Sequence, residues 1–421
     1  MTDMTAPAAA GPMLAADGTP LRKKLAQALF VSRVRAFLLV APLLLFILAS
    51  FIIPIALLLW QGISNNTYAQ YMPASTELLR DWDATSEPDE AMYAALVRDL
   101  QQAREDKTIG QVATRVNQEL SGTRSLFTGT ARASRKMEAP FKEAVLEDDD
   151  EWGEIEVWQA MKIASQSVTP AFLAAALDFQ YHADGSFERL PDRQRIHVWL
   201  FVKTILVALA VTLLCLLLGY PVAYLLSHLP LRTSNLLMIL VLLPFWTSLL
   251  VRTTAWIAML QSEGVLNDLS VAIGLTSDDQ RFALIYNMTG TLIAMTHILL
   301  PFMILPLYSV MKTISPSYMR AAKSLGATNW TAFWRVYAPQ TIPGIGAGSL
   351  LVFILAIGYY ITPALVGGQD GQLISNFIAY HMQKSLNWSL AAALAIILLA
   401  VVLTLYWVYD RLVGIDNMKL G

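Results

Sequence analysis

Six long apolar stretches constrain this chain more than any other feature. A helix needs roughly 20 apolar residues to cross the hydrocarbon core of a bilayer, and each stretch reaches or approaches that length. They cover residues 36–60, 199–226, 236–260, 282–311, 345–366 and 390–408. Several contain proline, whose freed backbone groups can be satisfied by neighbouring helices or a water-filled cavity. This pattern is more typical of channels and transporters than of simple anchors, and it predicts an all-α integral membrane protein with six transmembrane helices.

The composition excludes several other classes of protein. The 421 residues are 55% hydrophobic and only 15% charged, with a formal net charge of −2, whereas soluble domains are nearer a quarter charged. These values exclude a disordered chain, a coiled coil and a nucleic-acid-binding protein, so we expect no nucleic-acid partner. The single cysteine, Cys215, cannot form an intramolecular disulfide, and we expect it to be a small buried hydrophobic residue.

Basic residues near the ends of the apolar stretches predict the orientation. If there are six crossings, one side of the membrane carries Arg22, Lys23, Lys24, Arg33, Arg35, Arg232, Lys312, Arg320, Lys323, Arg335, Arg411 and Lys419. The short loops on the other side, 261–281 and 367–389, hold only Arg281 and Lys384. The positive-inside rule therefore predicts a multi-pass membrane protein whose more basic side faces the cytoplasm. Its tails, 1–35 and 412–421, should both be cytoplasmic, and the stretch 36–60 should be an uncleaved anchor.

A polar region at 64–195 separates the first two apolar stretches. Between positions 65 and 195 it holds 23 acidic and 14 basic side chains, a net charge of −9. Long regions cross the membrane largely regardless of charge, so we predict an external, periplasmic and mainly helical insert. Ser86 to Asp89 resembles a helix cap with Pro88 in the first turn, and a second helix is predicted over 151–164. The acidic run 147–151 fits a solvated loop, with a cation or docking role as the alternative.

The amphipathic pattern after this cap supports a packed insert. Met92, Leu96 and Leu100 recur at four-residue spacing, which places them on one face of a helix. We therefore expect a small lobe with its own apolar core.

No catalytic constellation is present in the sequence. It has no zinc-protease, serine-hydrolase or phosphate-binding-loop motif, and its five histidines lack metal-ligand spacing. Gly344, Gly346 and Gly348 open an apolar stretch with no strand before them, so they predict close helix packing rather than a nucleotide fingerprint. We therefore expect no enzyme activity, no catalytic residues, no bound metal and no cofactor. Any ATPase must lie on another chain.

The segment 313–341 lies between the fourth and fifth stretches and is too polar to span the membrane. Its sequence predicts a short helix, a stop at Gly326, a second short helix and a break at Pro339. Taken alone it could be an ordinary amphipathic linker.

This segment resembles the cytoplasmic coupling loop of permease subunits of bacterial ABC importers. That pattern is Glu-Ala-Ala, three residues, Gly, nine residues, Ile, one residue and Leu-Pro. The matching positions here are Ala321, Ala322, Gly326, Val336 and Pro339.

One position departs from the pattern. Arg320 stands where the family has Glu, which leaves the polar contact of that side chain open.

The segment from Val251 to Trp256, with Gln261 and Gly264 to Asn267, is also similar to the spermidine/putrescine permease subgroup. This second resemblance extends over about 199–411 and implies a five-helix permease core at 197–411. The insert at 64–195 is longer than the usual first external loop of that family.

The resemblance implies a location in the bacterial inner membrane, a mechanism and a set of partners. Two permease subunits, homologous or identical, pair around a translocation path. Two ATPase subunits bind underneath, and a periplasmic solute-binding protein delivers the solute. The coupling segment should then be a rigid transmission element, with a small-residue face at Ala321 and Ala322, a joint at Gly326 and aromatic anchors. We expect those anchors to be Trp330, Phe333 and Trp334.

The solute is less constrained than the class of transporter. Polyamines are cations, which carboxylates and aromatic faces recognise. The core stretches contain essentially no acidic residue, and Glu263 and Asp268 lie just outside the third. An intramembrane charge such as Arg252 is costly and often functional, and a positive one argues against a dication path unless it is paired. Candidates for the path are Trp246, Arg252, Trp256, Tyr359 and Tyr360, although core or interface packing is the competing interpretation for each aromatic. Two classes of solute therefore remain open. One is a polyamine or related amine, and the other is another small solute such as an opine, an amino-acid-like compound or an anion.

Two other classes fit parts of the pattern. A membrane receptor would combine an external sensory lobe with several spans, but it should carry a cytoplasmic output module. A membrane-embedded enzyme should show a nucleophile, metal or acid–base cluster within its spans. Co-purification separates these classes, because a transporter subunit should carry an ATPase and a second permease chain.

Overall fold

The computed structural model describes residues 21–413, which are predominantly helical. Contacts divide the chain into two compact units, Met1–Trp60 and Gln61–Gly421, and each is described by itself. Residues 1–20 of the predicted tail 1–35 and residues 414–421 of the predicted tail 412–421 lie outside the described residues. The same is true of Lys419 and of the side chains of Arg22, Lys23 and Lys24. The orientation predicted from these basic residues therefore stays a prediction.

The first unit is one long helical run. Helix α1 (Leu21–Ile47), a π-helical turn (Leu48–Ile52) and α2 (Ile53–Gln61) follow one another without a break. Its apolar part is the candidate span Ala28–Gln61, in which no residue of the most apolar window is buried. A helix that is apolar all round matches a membrane span, and it contains the predicted stretch 36–60.

The polar region forms a helical lobe with one small hairpin. Its helices are α3 (Thr67–Tyr71), α4 (Pro73–Asp81), α5 (Glu90–Glu105), α6 (Ile109–Asn117), α7 (Thr123–Ala133), α8 (Phe141–Asp148), α9 (Ile155–Ser165) and α10 (Ala171–Ala176). Strands β1 (Phe179–Tyr181) and β2 (Phe187–Arg189) pair antiparallel. This hairpin corrects the all-α prediction. Its turn holds Asp184 and Gly185, with Gly185 at φ +89°, and aspartate followed by glycine favours tight hairpin turns.

Aromatic residues form the centre of the lobe core. The indole rings of Trp152 and Trp158 lie 6.1 Å apart, and Tyr93 packs edge-on against Trp158 at 4.9 Å. The carbonyl of Trp152 accepts hydrogen bonds from the Tyr93 hydroxyl at 3.0 Å and from the Trp158 indole at 2.9 Å. Buried tyrosine and tryptophan polar groups usually need such partners. The predicted helix at 151–164 begins only at Ile155, because residues 150–153 form a 3-10 turn that buries Trp152.

The structure moves one predicted helix cap. Asp89, rather than Ser86, caps α5, since its side chain accepts the backbone N–H of Met92 at 2.9 Å. Pro88 consequently precedes the cap instead of lying in the first turn. The predicted apolar face is confirmed, because Met92, Leu96 and Leu100 are all buried.

The remaining helices form the membrane core. They are α11 (His197–His228), α12 (Leu231–Leu242), α13 (Leu249–Leu260), α14 (Val265–Ala272), α15 (Met288–Thr313), α16 (Pro316–Ser324), α17 (Asn329–Ala332), α18 (Ala338–Gln340), α19 (Ile342–Gly358), α20 (Ile361–Val366), α21 (Ile374–Gln383) and α22 (Trp388–Val413). A 3-10 turn (Leu243–Trp246) follows α12 and a π-helical turn (Phe333–Tyr337) follows α17.

Glycines allow close packing between α11, α15 and α19. A Cβ added at Gly348 would lie 2.8 Å from the sulfur of Met303, and one at Gly344 would lie 3.2 Å from the Cα of Leu307. A Cβ at Gly219 of α11 would meet Met303 at 3.2 Å. Helix pairs in membranes use small residues in this way. The packing role predicted for the glycines that open the fifth stretch is therefore confirmed for Gly344 and Gly348.

The described residues contain four to six candidate spans. Four helices are long and apolar enough by themselves: Ala28–Gln61, His197–His228, Met288–Thr313 and Trp388–Arg411. Two further candidates are helix pairs, one bent by 98° between Trp246 and Leu249 and one bent by 58° between Gln340 and Ile342. The continuous helix predicted at 236–260 is therefore corrected to a broken one, and Pro244 precedes its bend. The bend between Gln340 and Ile342 lies before the stretch predicted at 345–366, which is broken instead between Gly358 and Ile361.

The lobe is fixed to the first turns of two membrane helices. Phe172 of α10 packs with Leu200 of α11 and with Ala393 and Leu394 of α22. At the other end of the lobe, the Asn65 amide donates a 3.0 Å hydrogen bond to Ser389, also at the start of α22. The lobe and these helix ends therefore share one apolar cluster.

Candidate coupling segment and intramembrane polar cluster

A left-handed glycine ends the first helix of the coupling segment. Gly326 has φ +87°, a region that glycine occupies without a Cβ penalty. Its N–H donates to the Lys323 carbonyl at 3.0 Å, and the Ala327 N–H donates to the Ala322 carbonyl at 3.1 Å. This is the Schellman pattern of helix ends. Thr328 then caps α17 by accepting the Thr331 N–H. The predicted sequence of short helix, glycine stop and second short helix is observed.

Several side chains of this segment point into solvent. Leu325 is 89% exposed, Trp330 is 72% exposed and Trp334 is 54% exposed. Among the predicted coupling residues, Arg320, Ala321, Gly326 and Pro339 are exposed, whereas Ala322 and Val336 are half-buried. Pro339 lies in the first turn of α18, and the bend follows at Thr341 instead of at the proline. The segment thus presents an apolar surface that nothing in this chain covers among the described residues.

An aromatic cluster ties the segment to the end of α11. The ring of Phe333 stacks on Tyr337 at 5.8 Å and packs edge-on against Tyr224 at 5.7 Å. Tyr224 in turn contacts Tyr337 at 5.3 Å and His228 at 4.2 Å. These contacts are made by the π-helical turn, a rare geometry that is frequent at functional sites.

This cluster changes the prediction for the aromatic anchors. Phe333 packs into the protein, but Trp330 and Trp334 pack edge-on against one another at 5.6 Å while remaining exposed. The anchor that the sequence did not indicate is Tyr337, which is buried. Its partners lie on α11, more than 100 positions earlier, so helical spacing within the segment could not reveal them.

A second group of polar side chains lies within the membrane core. The indole N–H of Trp256 on α13 donates a 3.1 Å hydrogen bond to Nδ1 of His297 on α15. Arg252 lies one turn before Trp256 and is within electrostatic reach of both His297 and Tyr359. The Nε atom of Arg252 is buried without a hydrogen-bond partner. Because an unpaired buried donor is costly, this guanidinium is suited to hold a polar or anionic group.

The predicted path residues fall into two sets. The structure brings Arg252, Trp256 and Tyr359 into one cluster and adds His297, which the sequence did not indicate. Trp246 is 88% exposed at the break after α12, and Tyr360 is bound through its carbonyl by the Asn376 amide at 2.8 Å. Within residues 21–413, no hydrogen bond or ring contact joins the side chains of Trp246 and Tyr360 to the cluster, although Tyr360 directly follows Tyr359. The signal that could have found His297 is its position inside an apolar stretch.

The acidic residues beside the third stretch do not face this cluster. Asp268 accepts a 2.8 Å hydrogen bond from Arg281, which also pairs with Asp278 at 2.7 Å. Glu263 is exposed after α13. No group of three or more His, Cys, Asp or Glu residues suited to a metal ion occurs within residues 21–413.

Comparison with known proteins identifies the family. The family described as binding-protein-dependent transport system inner membrane component matches residues 215–414. The spermidine/putrescine transport system permease protein PotB of Escherichia coli (strain K12) is 36% identical over 210 residues, covering 49% of this chain and 76% of PotB. PotB of Haemophilus influenzae is 37% identical over 208 residues, covering 49% of this chain and 72% of that protein.

One solved structure is also similar to part of this chain. It is a bacterial ABC transporter involved in the import of the acidic polysaccharide alginate. The match has 18% identity and a TM-score of 0.43, and it covers 52% of this chain and 80% of that chain. The family match covers the coupling segment and the polar cluster. The chain therefore belongs to the binding-protein-dependent inner membrane components and is a permease subunit of an ABC importer.

Proposed function

We propose that residues 313–341 couple this permease to ATP hydrolysis on separate ATPase subunits. The observation that carries the proposal is the apolar surface of Leu325, Trp330 and Trp334, which lies beside the left-handed joint at Gly326. Exposed apolar surface of this kind marks a site for a protein partner. Arg320, Ala321 and Ala322 would contact the ATPase before the joint. Val336 and Pro339 would carry the movement into α19, and the contact of Phe333 with Tyr224 would carry it into α11.

The same proposal includes a topology and a second permease chain. Six crossings result if each bent helix pair counts as one span. Both termini and residues 313–341 would then lie in the cytoplasm, and the lobe would lie outside. The divisions that we propose are a tail at 1–35, a span at 36–60, an external insert at 64–195, a core at 197–411 and a tail at 412–421. A homologous or identical permease would complete the translocation path, and a periplasmic binding protein would deliver the solute.

We propose a polyamine or related small amine as the solute. The names of the PotB relatives at 36–37% identity support it. The aromatic faces of Trp256 and Tyr359 are suited to an organic cation. Trp246 and Tyr360 would line the path outside the cluster.

The alternative solute is a small molecule that carries an anionic group, such as an opine or an amino-acid-like compound. One observation favours it, namely the positive charge of Arg252 beside the same aromatic rings, with a buried Nε that lacks a partner. Uptake of labelled spermidine and of a labelled amino acid by the reconstituted transporter decides between the two. Arg252→Gln should raise spermidine uptake if the path is cationic, and it should abolish uptake of a carboxylate solute if that alternative holds.

Gly326→Val tests the coupling role. Valine in the left-handed region is strained by about 1–2 kcal/mol, and such strain lowers the population of the competent conformation roughly tenfold. We expect solute-stimulated ATP hydrolysis and uptake to fall by about that factor, while insertion into the membrane is unchanged. No atom lies within 4 Å of a Cβ added there, so a steric clash cannot explain the loss.

Gly274→Val is the matched control. Gly274 has φ +75° and equally open surroundings, but it lies after α14, outside the coupling segment. The control should retain uptake. Equal losses in the two variants, or normal uptake in Gly326→Val, would show that the joint has no role in coupling.

A further inference from the structure

We propose that the last part of the lobe and the first residues of α11, residues 168–199, lie on the lipid bilayer and dock into its headgroup region. The proposal concerns a surface of the lobe and goes beyond the coupling role and the solute. It requires only that α11 and α22 are membrane spans. We call this surface the apolar apron; its exposed members are Val168, Leu177, Phe179, Phe187, Ile196, Val198 and Trp199.

The apron exposes more large hydrophobic side chains than the rest of the lobe does. Over residues 64–167, which the structure describes completely, Leu78 is the one large hydrophobic side chain that is exposed. The following 32 residues expose seven, and Phe187 and Trp199 are 57% and 61% exposed. Most of the lobe therefore has the surface of a water-soluble domain, and the apron does not. Contiguous exposed apolar surface marks a contact with protein or membrane.

The position of the apron indicates that its partner is the membrane. Asp178 accepts hydrogen bonds from the backbone N–H groups of Ile196, His197 and Val198 at 2.9–3.2 Å. Leu177 and Phe179 flank this aspartate, so they lie at the first turn of the α11 span. The apron is thus continuous with the outward-facing side of that helix.

The neighbouring helix fixes the depth of this surface. Phe172 of α10 packs against Leu200 of α11 and Leu394 of α22. These residues lie within about two turns of the beginnings of the two spans, which corresponds to roughly 5–9 Å along a helix axis. An element at that depth meets lipid headgroups, where amphipathic aromatic side chains concentrate.

The apron combines apolar and cationic side chains, and this combination suits the boundary between lipid headgroups and acyl chains. Beside α10, a groove of about 290 Å³ is lined by Pro170, Leu173, Ala174, Leu177, Phe179 and Phe187, all apolar. Phe179 pairs with Arg189 across the hairpin and Tyr181 pairs with Phe187. Directly paired residues lie on the same face of a sheet. One hairpin face therefore carries three aromatic rings and the exposed guanidinium of Arg189, which can reach an anionic phosphate while the rings enter the acyl boundary.

Spin labels on the full chain in the assembled, reconstituted transporter test the docking. Phe187→Cys and Leu177→Cys report on the apron, and Ser121→Cys, exposed before α7, is the matched control. Cys215 is buried, so the unsubstituted chain should not label. In bilayers of zwitterionic and anionic phospholipid, the ratio of collision with oxygen to collision with a water-soluble nickel chelate should be several-fold higher at 187 and 177 than at 121.

Three outcomes would overturn the proposal. The labels at 187 and 177 could collide with nickel as freely as the label at 121, which would place the apron in water. Both reagents could be excluded, which would indicate a protein interface. The shielding could also depend on adding the periplasmic binding protein. Two reporter positions are used so that a folding defect in one variant leaves the other to decide.

A second arm tests the anionic component. Arg189→Gln should lower the oxygen-to-nickel ratio at position 187 more in bilayers with anionic lipid than in purely zwitterionic ones. An equal change in both bilayers would contradict a headgroup contact of Arg189.

Discussion

The lobe and the membrane core place their large aromatic side chains in opposite ways. In the lobe, Trp152 and Trp158 are completely buried. In the membrane core, Trp199 is 61% exposed and Trp407 is 65% exposed. The interior of the core combines aliphatic side chains such as Leu299 and Met303 with small residues, which are fully or nearly fully buried at Ala208, Thr204, Ala223, Ala356 and Ala392.

The difference follows from the solvent that each region meets. Water drives the large apolar side chains of the lobe inward, because burying them removes apolar surface from water. Lipid tails are as apolar as leucine, so the membrane core gains little by burying such side chains and associates through close helix contacts. Buried apolar volume should therefore limit the stability of the lobe, and close helix approach should limit that of the core.

The largest expected effect is that of Trp152→Ala. This change removes a fully buried ring and its hydrogen bond to Thr130, and such truncations cost about 3–5 kcal/mol. Proteolysis of the full chain after brief equilibration in urea should show the lobe unfolding at much lower urea concentration. The thiol of Cys215, buried between α11 and α15, should remain unreactive because the membrane core is intact.

Trp407→Ala is the matched control for this contrast. Its ring is mostly exposed, so the lobe and the core should both keep their stability. The contrast between the regions fails if Trp407→Ala destabilises the protein as much as Trp152→Ala does.

An intermediate effect is expected from adding one methyl group to a glycine. Gly348→Ala places a Cβ 2.8 Å from the sulfur and 3.2 Å from the carbonyl oxygen of Met303. Overpacking of this kind costs about 1–3 kcal/mol. Thermal unfolding followed by the reactivity of Cys215 should therefore begin at a lower temperature.

The same change in the lobe should have the opposite sign. Gly129 lies inside α7, and no atom lies within 4 Å of a Cβ added there. Gly129→Ala should stabilise the lobe by about 0.5–1 kcal/mol, since alanine restricts the unfolded chain and favours helix. Destabilisation by Gly129→Ala, or stabilisation by Gly348→Ala, would remove the distinction between the two kinds of packing.

Much of this architecture could be predicted from the sequence, because apolar length and spacing are local properties. The stretches at 199–226 and 390–408 correspond to α11 and α22 with ends that differ by a few residues. The bends could not be predicted in the same way. A helix that turns by 98° after Trp246 has the same apolar length as a straight one, and Pro244 was the only local sign of it.

The candidate site shows the same division between local and distant information. Gly326 was recognisable because the left-handed joint and its neighbours lie within a few positions of one another. His297 was not, since its partner Trp256 comes 41 positions earlier and a single histidine in an apolar stretch carries no spacing pattern. The hairpin was missed because strands of three residues carry too little alternation to stand out beside eight helices of the lobe.

The smallest expected effect concerns a buried carboxylate of the lobe. Asp99 is almost fully buried and accepts the backbone N–H groups of Ala74 and Ser75 at 3.3 and 2.7 Å. Burial raises the pKa of the Asp99 carboxyl, and these hydrogen bonds only partly oppose the shift. The folded lobe therefore holds this proton more tightly than the unfolded chain, whose aspartates have a pKa of about 3.9. The contribution of Asp99 to the free energy of unfolding must fall as pH rises from that value through the raised pKa.

Asp99→Asn and Asp83→Asn should consequently change the pH dependence in opposite directions. Asparagine does not titrate, so the stability of Asp99→Asn relative to the unsubstituted chain should increase as pH rises above about 4. Hydrogen bonds from Ser86 and Thr85 lower the pKa of exposed Asp83. The Asp83 carboxylate therefore stabilises the folded lobe most at pH values above about 3.9, the pKa of an unfolded aspartate. As pH rises toward that value, the stability of Asp83→Asn relative to the unsubstituted chain should decrease. Urea-dependent proteolysis of the lobe between about pH 2 and about pH 7 measures both slopes. Slopes of the same sign would show that burial does not control the Asp99 carboxyl, and the lobe would then lack the desolvated interior that distinguishes it from the membrane core.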